Sequence, residues 1–117
     1  MPLYRRDPEP GLLVRLKALA DTTRLAIINL LMEGVQCNCE IAAALDLSLS
    51  LVSHHMRILR EAGFIETERD SGDARWCYYM IVPQALTDFR SELANLLDTA
   101  RIQPRQPSCG PGGCERC

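Results

Sequence analysis

Two cysteines separated by one residue are the feature of this sequence with the clearest chemical consequence. Cys37 and Cys39 stand in the stretch VQCNCEIAAAL. Thiolates are soft ligands that select soft ions, so a closely spaced pair indicates a site for a thiophilic metal or metalloid. On an ideal helix, residues two positions apart point about 200° away from each other. The pair can therefore share one ion only if its helix is irregular or unwinds at the first turn.

Three further cysteines lie near the end of the chain, in the segment PRQPSCGPGGCERC. Their spacing is C-x4-C-x2-C, and the intervening glycines and prolines allow the chain to fold around an ion. The three can form a second site, lend one donor to the Cys37/Cys39 pair, or belong to an unstructured tail that scavenges metals. They are Cys109, Cys114 and Cys117. The sixth cysteine, Cys77, is predicted to be a small strand residue and not a ligand.

Length and charge limit the class of protein. The chain has 117 residues, which indicates one domain, and a formal net charge of -2. Contact with DNA must therefore come from a local basic surface and not from the overall field. We find no signal-peptide pattern and no apolar run long enough to span a membrane, so we expect a cytoplasmic protein. In that compartment the cysteines should stay reduced.

Apolar periodicity and turn signals predict five helices and one β-hairpin. A short turn joins the third and fourth helices into a helix-turn-helix, and the hairpin follows it as a wing. The fold class is thus mainly α with a small β-hairpin. Residues 1–102 are predicted to form the winged helix-turn-helix DNA-binding and dimerisation domain, and residues 103–117 a flexible Cys/Gly/Pro-rich tail. The helices are expected at 11–20, from a cap at Asp21 to Gly34, at 38–45, from a cap at Ser48 or Ser50 to Ala62, and at 84–101, with strands at 64–69 and 75–80.

The stretch SLSLVSHHMRILREAGFI contains the fourth helix and indicates a DNA-binding surface. It has two arginines and two histidines, and no acidic residue occurs from Ser48 to Arg60. Its hydroxyl, imidazole and guanidinium groups can contact base edges and phosphates. The alternative is an amphipathic helix with a solvated basic face. The predicted DNA contacts are Ser48, Ser50, Ser53, His54 and Arg57 on the helix and Arg69 and Arg75 in the wing.

Four segments taken together resemble the ArsR/SmtB family of metal-responsive transcriptional repressors. They are LKALADTTRLAIINLL, CNCEIAAAL, SLVSHHMRILREAGFI and RWCYY, and the resemblance covers residues 11–101. It implies a homodimer that binds double-stranded operator DNA and releases it when a metal or metalloid binds. It also implies pairing of the first and last helices across the dimer, which agrees with the leucine stripes at 12–19 and 86–97.

The resemblance also bears on the inducer. Cys37 and Cys39 match the thiolate box of the family's soft-ion sensors, but Ala42 stands where arsenic-type boxes often carry a further cysteine. The last helix contains no histidine, unlike the family's zinc site. The family's cadmium sensors add cysteines from an N-terminal arm, and residues 1–36 contain none. The expected inducer is therefore As(III) or Sb(III), held by Cys37 and Cys39 with the tail cysteines as further candidate ligands.

Several alternatives remain open at this point. A cadmium- or lead-responsive repressor, or a repressor switched by thiol oxidation, would have the same fold. A metal buffer would explain the tail but not the basic helix. An enzyme is disfavoured because the sequence has no Gly-rich nucleotide loop, no C-x5-R phosphate cradle and no credibly spaced Cys/His/Asp set. We accordingly expect neither enzymatic activity nor an organic cofactor.

Overall fold

The computed structural model describes residues 11–111, and the predicted helices and hairpin are present in that range. Helices α3 (Asn38–Leu45) and α4 (Leu49–Glu61) form the helix-turn-helix, and strands β2 (Ile65–Arg69) and β3 (Cys77–Ile81) form the hairpin of the wing. Two helices before them and one after them complete the domain. In chain order the elements are α1 (Leu12–Leu19), α2 (Thr22–Leu31), β1 (Gln36–Cys37), α3 (Asn38–Leu45), α4 (Leu49–Glu61), β2 (Ile65–Arg69), β3 (Cys77–Ile81), α5 (Pro83–Leu96) and a 3-10 helix (Thr99–Arg101).

Two elements differ from the prediction. The wing is a three-stranded antiparallel sheet of order β1-β3-β2, because residues Gln36–Cys37 pair with β3. A two-residue strand has no detectable periodicity, so the sequence predicted a hairpin alone. The last helix ends at Leu96 and not at Arg101. Its continuation is a separate 3-10 turn, capped by Asp98, whose carboxylate accepts a hydrogen bond from the Ala100 N–H at 2.9 Å.

A single apolar core connects the helix-turn-helix to the flanking helices and the sheet. Phe64, which is fully buried between α4 and β2, packs edge to face on Phe89 of α5, with ring centroids 5.3 Å apart. Such a pair contributes about 1 kcal/mol beyond the area it buries. The other largest fully buried side chains are Ile27, Ile41, Val52, Met56 and Leu59. No helix within residues 11–111 is long and apolar enough to cross a membrane.

The turn of the helix-turn-helix has a defined backbone geometry. Asp46 ends α3 in the left-handed region, with φ 53° and ψ 51°, a conformation that Asp tolerates better than most residues. The Leu47 N–H then donates to the Ala42 carbonyl at 2.9 Å. Ser48 begins α4, since its hydroxyl accepts a hydrogen bond from the Leu51 N–H at 3.1 Å. Of the two serines that the sequence offered as caps, Ser48 is therefore the one used.

A polar cluster joins α1, α2 and α4. Asp21 caps α2 by accepting a hydrogen bond from the Arg24 N–H at 3.0 Å. The Arg24 Nε donates to the Ala18 carbonyl at 2.6 Å, and its Nη1 lies 3.2 Å from Nδ1 of His55. His55 is buried, and burial lowers its pKa, although the Asp21 carboxylate opposes the shift. Since guanidinium can only donate, His55 is a neutral acceptor at Nδ1 near pH 7.

We expect the folded state to lose stability as the pH falls from 7 to about 5. The unfolded chain protonates His55 near its ordinary pKa of about 6.5, whereas the folded protein resists that protonation. The stabilising contribution is thus present above the unfolded pKa and is lost as the pH falls through it. The measurement is the midpoint temperature of thermal unfolding by circular dichroism across this range.

The variant His55→Asn should flatten that pH dependence, because the amide oxygen can accept from Arg24 without titrating. Its exposed neighbour provides the matched control, and His54→Asn should keep the dependence of the original protein. An unchanged slope in His55→Asn would contradict the assignment.

Candidate metal site and nucleic-acid interface

Cys37 occupies the junction of β1 and α3. It is the last residue of β1 and the N-cap of α3, with an extended backbone at φ -83° and ψ 161°. Because it precedes the helix, the angular separation expected for two helical residues does not apply to Cys37 and Cys39. The start of α3 is thus irregular at Cys37, as the sharing of one ion requires, and the shared site itself stays a prediction.

Cys37 and Glu40 form a reciprocal cap at the start of α3. The Cys37 N–H donates to Oε1 of Glu40 at 3.0 Å, and the Glu40 N–H donates to the Cys37 sulfur. The Cys37 backbone N–H lowers the pKa of the Glu40 carboxyl most, and a hydrogen bond from the Cys37 side chain acts in the same direction. The sulfur thus lies at the positive end of the helix dipole, where negative charge is favoured.

The two thiols differ in exposure. Cys37 is buried at 8% relative exposure, whereas Cys39 is exposed in the first turn of α3. The Cys39 N–H donates to the Asn38 side chain at 3.1 Å. An incoming ion can therefore reach Cys39 from solvent, but it reaches Cys37 only at the edge of the core.

The wing strand β3 runs beside Cys37. Tyr78 is its register partner across the β1–β3 pair. The Tyr78 hydroxyl donates to Oδ1 of Asp70 at 3.4 Å. Burial raises the pKa of Tyr78, and the negative charge of Asp70 acts in the same direction, as do Cys37 and Glu40. Charges of the candidate metal site and of the wing turn thus act on the same residue, Tyr78.

Among the described cysteines, neither Cys77 nor Cys109 joins this pair. Within residues 11–111, no group of three or more His, Cys, Asp or Glu side chains is arranged to hold a metal ion. Cys77 lies in β3, as predicted. Cys109 is half-buried and disulfide-bonded, which differs from the expectation of reduced thiols. Cys114 and Cys117 lie outside the described residues.

The carboxylates of the last helix have other partners. Glu92 forms an ion pair with Arg15 of α1, and Asp88 accepts a hydrogen bond from the Gln84 side chain at 2.8 Å. The first pair joins α1 to α5, on either side of the helix-turn-helix and the wing in chain order. Both carboxylates thus have partners within the fold. The sequence of α5 contains no histidine that could join them at a metal ion.

Helix α4 presents the predicted polar residues together on one face. Ser50, Ser53, His54 and Arg57 are all exposed, and we call this set the recognition face. The opposite face is buried in the core. Ser48 lies at the start of the helix, where its hydroxyl serves as the cap described above. The sequence did not distinguish the roles of the two histidines, and only His55 belongs to the interior.

The two predicted wing arginines bind within the wing turn. Arg75 pairs with Asp73 at 2.7 Å, and this contact lowers the pKa of Asp73 and raises that of Arg75. Arg69 donates from Nη1 to the Ala74 carbonyl at 2.7 Å. Both residues are exposed. To contact DNA, Arg75 would have to exchange the Asp73 carboxylate for phosphate.

Sequence reasoning missed a groove between α4 and the sheet. Its volume is about 180 Å³, and it includes Arg60, Thr67 and Tyr79, none of which was predicted as a site residue. These side chains come from three separate elements, so no spacing in the sequence could have placed them together. The only available signal was the second arginine of α4, one turn after Arg57.

Comparisons with known proteins agree with this geometry. A family model described as "Bacterial regulatory protein, arsR family" matches residues 21–67. An arsenical resistance operon repressor of Escherichia coli K12 is 41% identical over 68 residues, which are 57% of this chain and 56% of that protein. The chain thus spans about half the length of this relative. An arsenical resistance operon repressor of Staphylococcus aureus is 33% identical over 85 residues, or 73% of this chain and 78% of that protein.

Two further comparisons are with a relative named for cadmium resistance and with a solved structure. A cadmium resistance transcriptional regulatory protein of Listeria innocua is 35% identical over 66 residues, covering 56% of this chain and 53% of that protein. A solution structure from Mycobacterium bovis is described as a homodimeric winged helix-turn-helix DNA-binding domain. It superposes with a TM-score of 0.60 at 23% identity and covers 83% of this chain and 88% of that one. This likeness confirms the winged helix-turn-helix fold.

The matched segment contains both features that the sequence singled out. Residues 21–67 include the Cys37/Cys39 pair and the whole of α4 with its recognition face. The Staphylococcus aureus relative extends the similarity over more than three quarters of its own length. The chain belongs to the ArsR family of bacterial transcriptional regulators.

Proposed function

We propose that this protein is a transcriptional repressor that binds operator DNA as a homodimer and releases it when As(III) or Sb(III) binds Cys37 and Cys39. The observation that carries the proposal is the location of Cys37, which belongs to both the wing sheet and the cap of α3. A ligand at that sulfur contacts both parts of the DNA-binding unit. The role is that of a DNA-binding regulator and not of an enzyme.

The ligand chemistry follows from the two thiols. Trivalent arsenic and antimony bind thiolates in a pyramid, and two protein sulfurs suffice if a third donor comes from elsewhere. Cys39 is exposed, so solvent, a small thiol or a tail cysteine can complete the set. The names of the Escherichia coli and Staphylococcus aureus relatives support an arsenical inducer.

Ion binding has two routes to the DNA-binding surface. The first runs through α3, because drawing the Cys39 sulfur towards Cys37 distorts the turn that the Cys37/Glu40 cap holds. The second runs through Tyr78 to Asp70, whose carboxylate also accepts the N–H groups of Gly72 and Asp73, both at 2.9 Å. Asp70 thereby organises the wing turn.

Magnitudes indicate that distortion of one α3 cap is not sufficient. Losing a helix cap costs about 1 kcal/mol, whereas a hundredfold loss of DNA affinity requires about 2.8 kcal/mol. Distortion of the α3 cap alone falls short of that amount. The difference has to come from movement of the wing or from a matching change in the second subunit.

The dimer is proposed from an uncovered apolar face. Val14 and Leu16 of α1 are exposed, and Leu97, just beyond α5, is 71% exposed. Exposed large apolar side chains on and beside the outer helices favour a partner that buries them. A second copy of this chain is the proposed partner, with support from the solved winged helix-turn-helix relative described as homodimeric.

The variant Cys37→Ser should bind DNA but fail to respond to arsenite. Serine is a preferred N-cap, so this substitution preserves the start of α3 while removing the soft ligand. The measurement is fluorescence anisotropy of the reduced protein on DNA from upstream of its own gene. Near-stoichiometric arsenite should free the DNA from the original protein and leave the Cys37→Ser complex intact.

Cys77→Ser is the matched control for that experiment and should respond like the original protein. A Cys37→Ser protein that still releases DNA fully would overturn the proposed site. Absence of DNA binding by the original protein would overturn the repressor itself.

The variant Tyr78→Phe should separate ion binding from DNA release. It removes the hydroxyl that reaches Asp70 while keeping the ring in the sheet. We expect arsenite binding to be unchanged and the ratio of DNA affinities without and with arsenite to fall about tenfold, which corresponds to about 1.4 kcal/mol of coupling. The same ratio in Tyr78→Phe as in the original protein would exclude the route through the wing.

A cadmium-responsive repressor is the second candidate, favoured by the Listeria innocua relative. Cadmium more often binds four donors, so it would need ligands in addition to Cys37 and Cys39. The anisotropy experiment distinguishes the two when cadmium, lead and a mild oxidant replace arsenite in parallel samples. Release by cadmium or lead alone would keep the DNA role and correct the inducer. Release by oxidant alone would assign a redox switch.

A further inference from the structure

A cationic groove lies between α4 and the wing sheet, and we call it the arginine groove. Arg57 and Arg60 of α4 and Arg69 of β2 line it, and none of the described residues around it is acidic. Among residues 11–111, no carboxylate pairs with Arg57 or Arg60. Three guanidinium groups around a volume of about 180 Å³ make a strongly positive site in a chain whose net charge is -2.

The base of the groove supplies neutral hydrogen-bond donors. Tyr79 is 7% exposed and lines the groove together with Ser53 of the recognition face. Burial raises the pKa of Tyr79, and Cys77 adds to this shift against the opposing charge of Arg60, so the phenol keeps its proton at pH 7. Thr67 contributes another hydroxyl to the lining.

One of the arginines is already oriented. The Nη1 of Arg69 donates to the Ala74 carbonyl at 2.7 Å. This bond restricts the side chain and leaves its other guanidinium nitrogens available as donors. A donor fixed before binding loses less conformational entropy when a ligand arrives.

We propose that the arginine groove binds one phosphate oxyanion, a phosphodiester of the DNA backbone, with Arg60 as a phosphate-contacting residue. Guanidinium groups match the oxygens of phosphate in bidentate geometry, and hydroxyls complete such a site. The volume is below the 300 Å³ or so typical of pockets for larger organic ligands. This inference rests on the proposed DNA-binding function.

The location of the groove favours DNA as the source of the phosphate. Ser53 and Arg57 belong both to the groove and to the recognition face, so a duplex lying on α4 passes its backbone over this site. A phosphate held between the helix and the wing would fix the register of the protein on DNA without reading sequence. Free inorganic phosphate has the same chemistry and is the other possible source.

The first test compares the salt dependence of DNA binding in Arg60→Gln and in the original protein. Each phosphate contact contributes about 0.9 to the slope of log affinity against log salt concentration. We expect Arg60→Gln to lower that slope by about this amount and to weaken operator and scrambled duplexes equally. Arg60→Lys keeps the charge and should restore the slope. Arg90→Gln removes an equal charge from the exposed surface of α5 and should leave the slope unchanged.

Three results would overturn the phosphate contact or the DNA-binding function on which it rests. An unchanged slope in Arg60→Gln would exclude a phosphate contact, and a loss confined to the operator would show that Arg60 reads bases instead. If the original protein binds no duplex, the proposed function fails. A titration with inorganic phosphate, followed by the NMR signals of the arginine side chains, then decides whether the groove binds free phosphate or none.

Cys77 gives a second readout that does not depend on an arginine variant. It lines the groove and is half-buried, so a bound backbone should shield it. In a full-length variant with the other five cysteines replaced by serine, saturating duplex should slow iodoacetamide alkylation of Cys77 severalfold. Equal alkylation rates with and without bound DNA would place the backbone elsewhere.

Discussion

Cys37 is constrained by three contacts at once, and the proposed regulation depends on that constraint. Its backbone closes the β1–β3 pair, its N–H is bound by the Glu40 carboxylate, and its sulfur accepts the Glu40 N–H. The residue cannot move without altering the strand pair, the start of α3 or both. A small displacement by a bound ion would therefore become a change in two elements that belong to the proposed DNA-binding surface. Packed elements rearrange between discrete arrangements and do not deform continuously, which favours a switch over a graded response.

The distribution of charge explains how a protein of net charge -2 can present a basic surface at α4. Several carboxylates have structural partners close to their own elements. Asp21 caps α2, Asp70 holds the wing turn, Asp98 caps the 3-10 helix and Glu92 pairs with Arg15. The arginine groove and the recognition face are left without acidic residues. Net charge therefore describes the average of the surface and not the field at α4.

The sequence predicted those features that depend on one element at a time. Periodicity located α3 and α4, and it placed Ser50, Ser53, His54 and Arg57 on one exposed face, because the helical period alone decides which residues share a face. The site residues were named from the same local patterns. Their functional roles remain predictions, but their placement on α4 and in the wing agrees with the structure.

Features that depend on contacts between elements could not be predicted. The pairing of Cys37 with β3 was not predicted, because a two-residue strand shows no periodicity in the sequence. The burial of His55 depends on Arg24 reaching across from α2, and the arginine groove depends on β2 lying against α4. These are consequences of tertiary packing between residues distant in sequence. The spacing of residues along the sequence carries no information about such contacts between elements.

The unequal exposure of the two thiols determines the order in which the proposed inducer binds them. An ion first meets Cys39 in solvent and then has to bring its second bond to Cys37 at the edge of the core. The step that completes binding is thus the step that strains the cap and the wing. Because coupling between two sites is reciprocal, DNA that holds α4 and the wing in place must weaken ion binding by the same factor as the ion weakens DNA binding. The operator-bound repressor would accordingly bind its inducer less tightly than the free protein does.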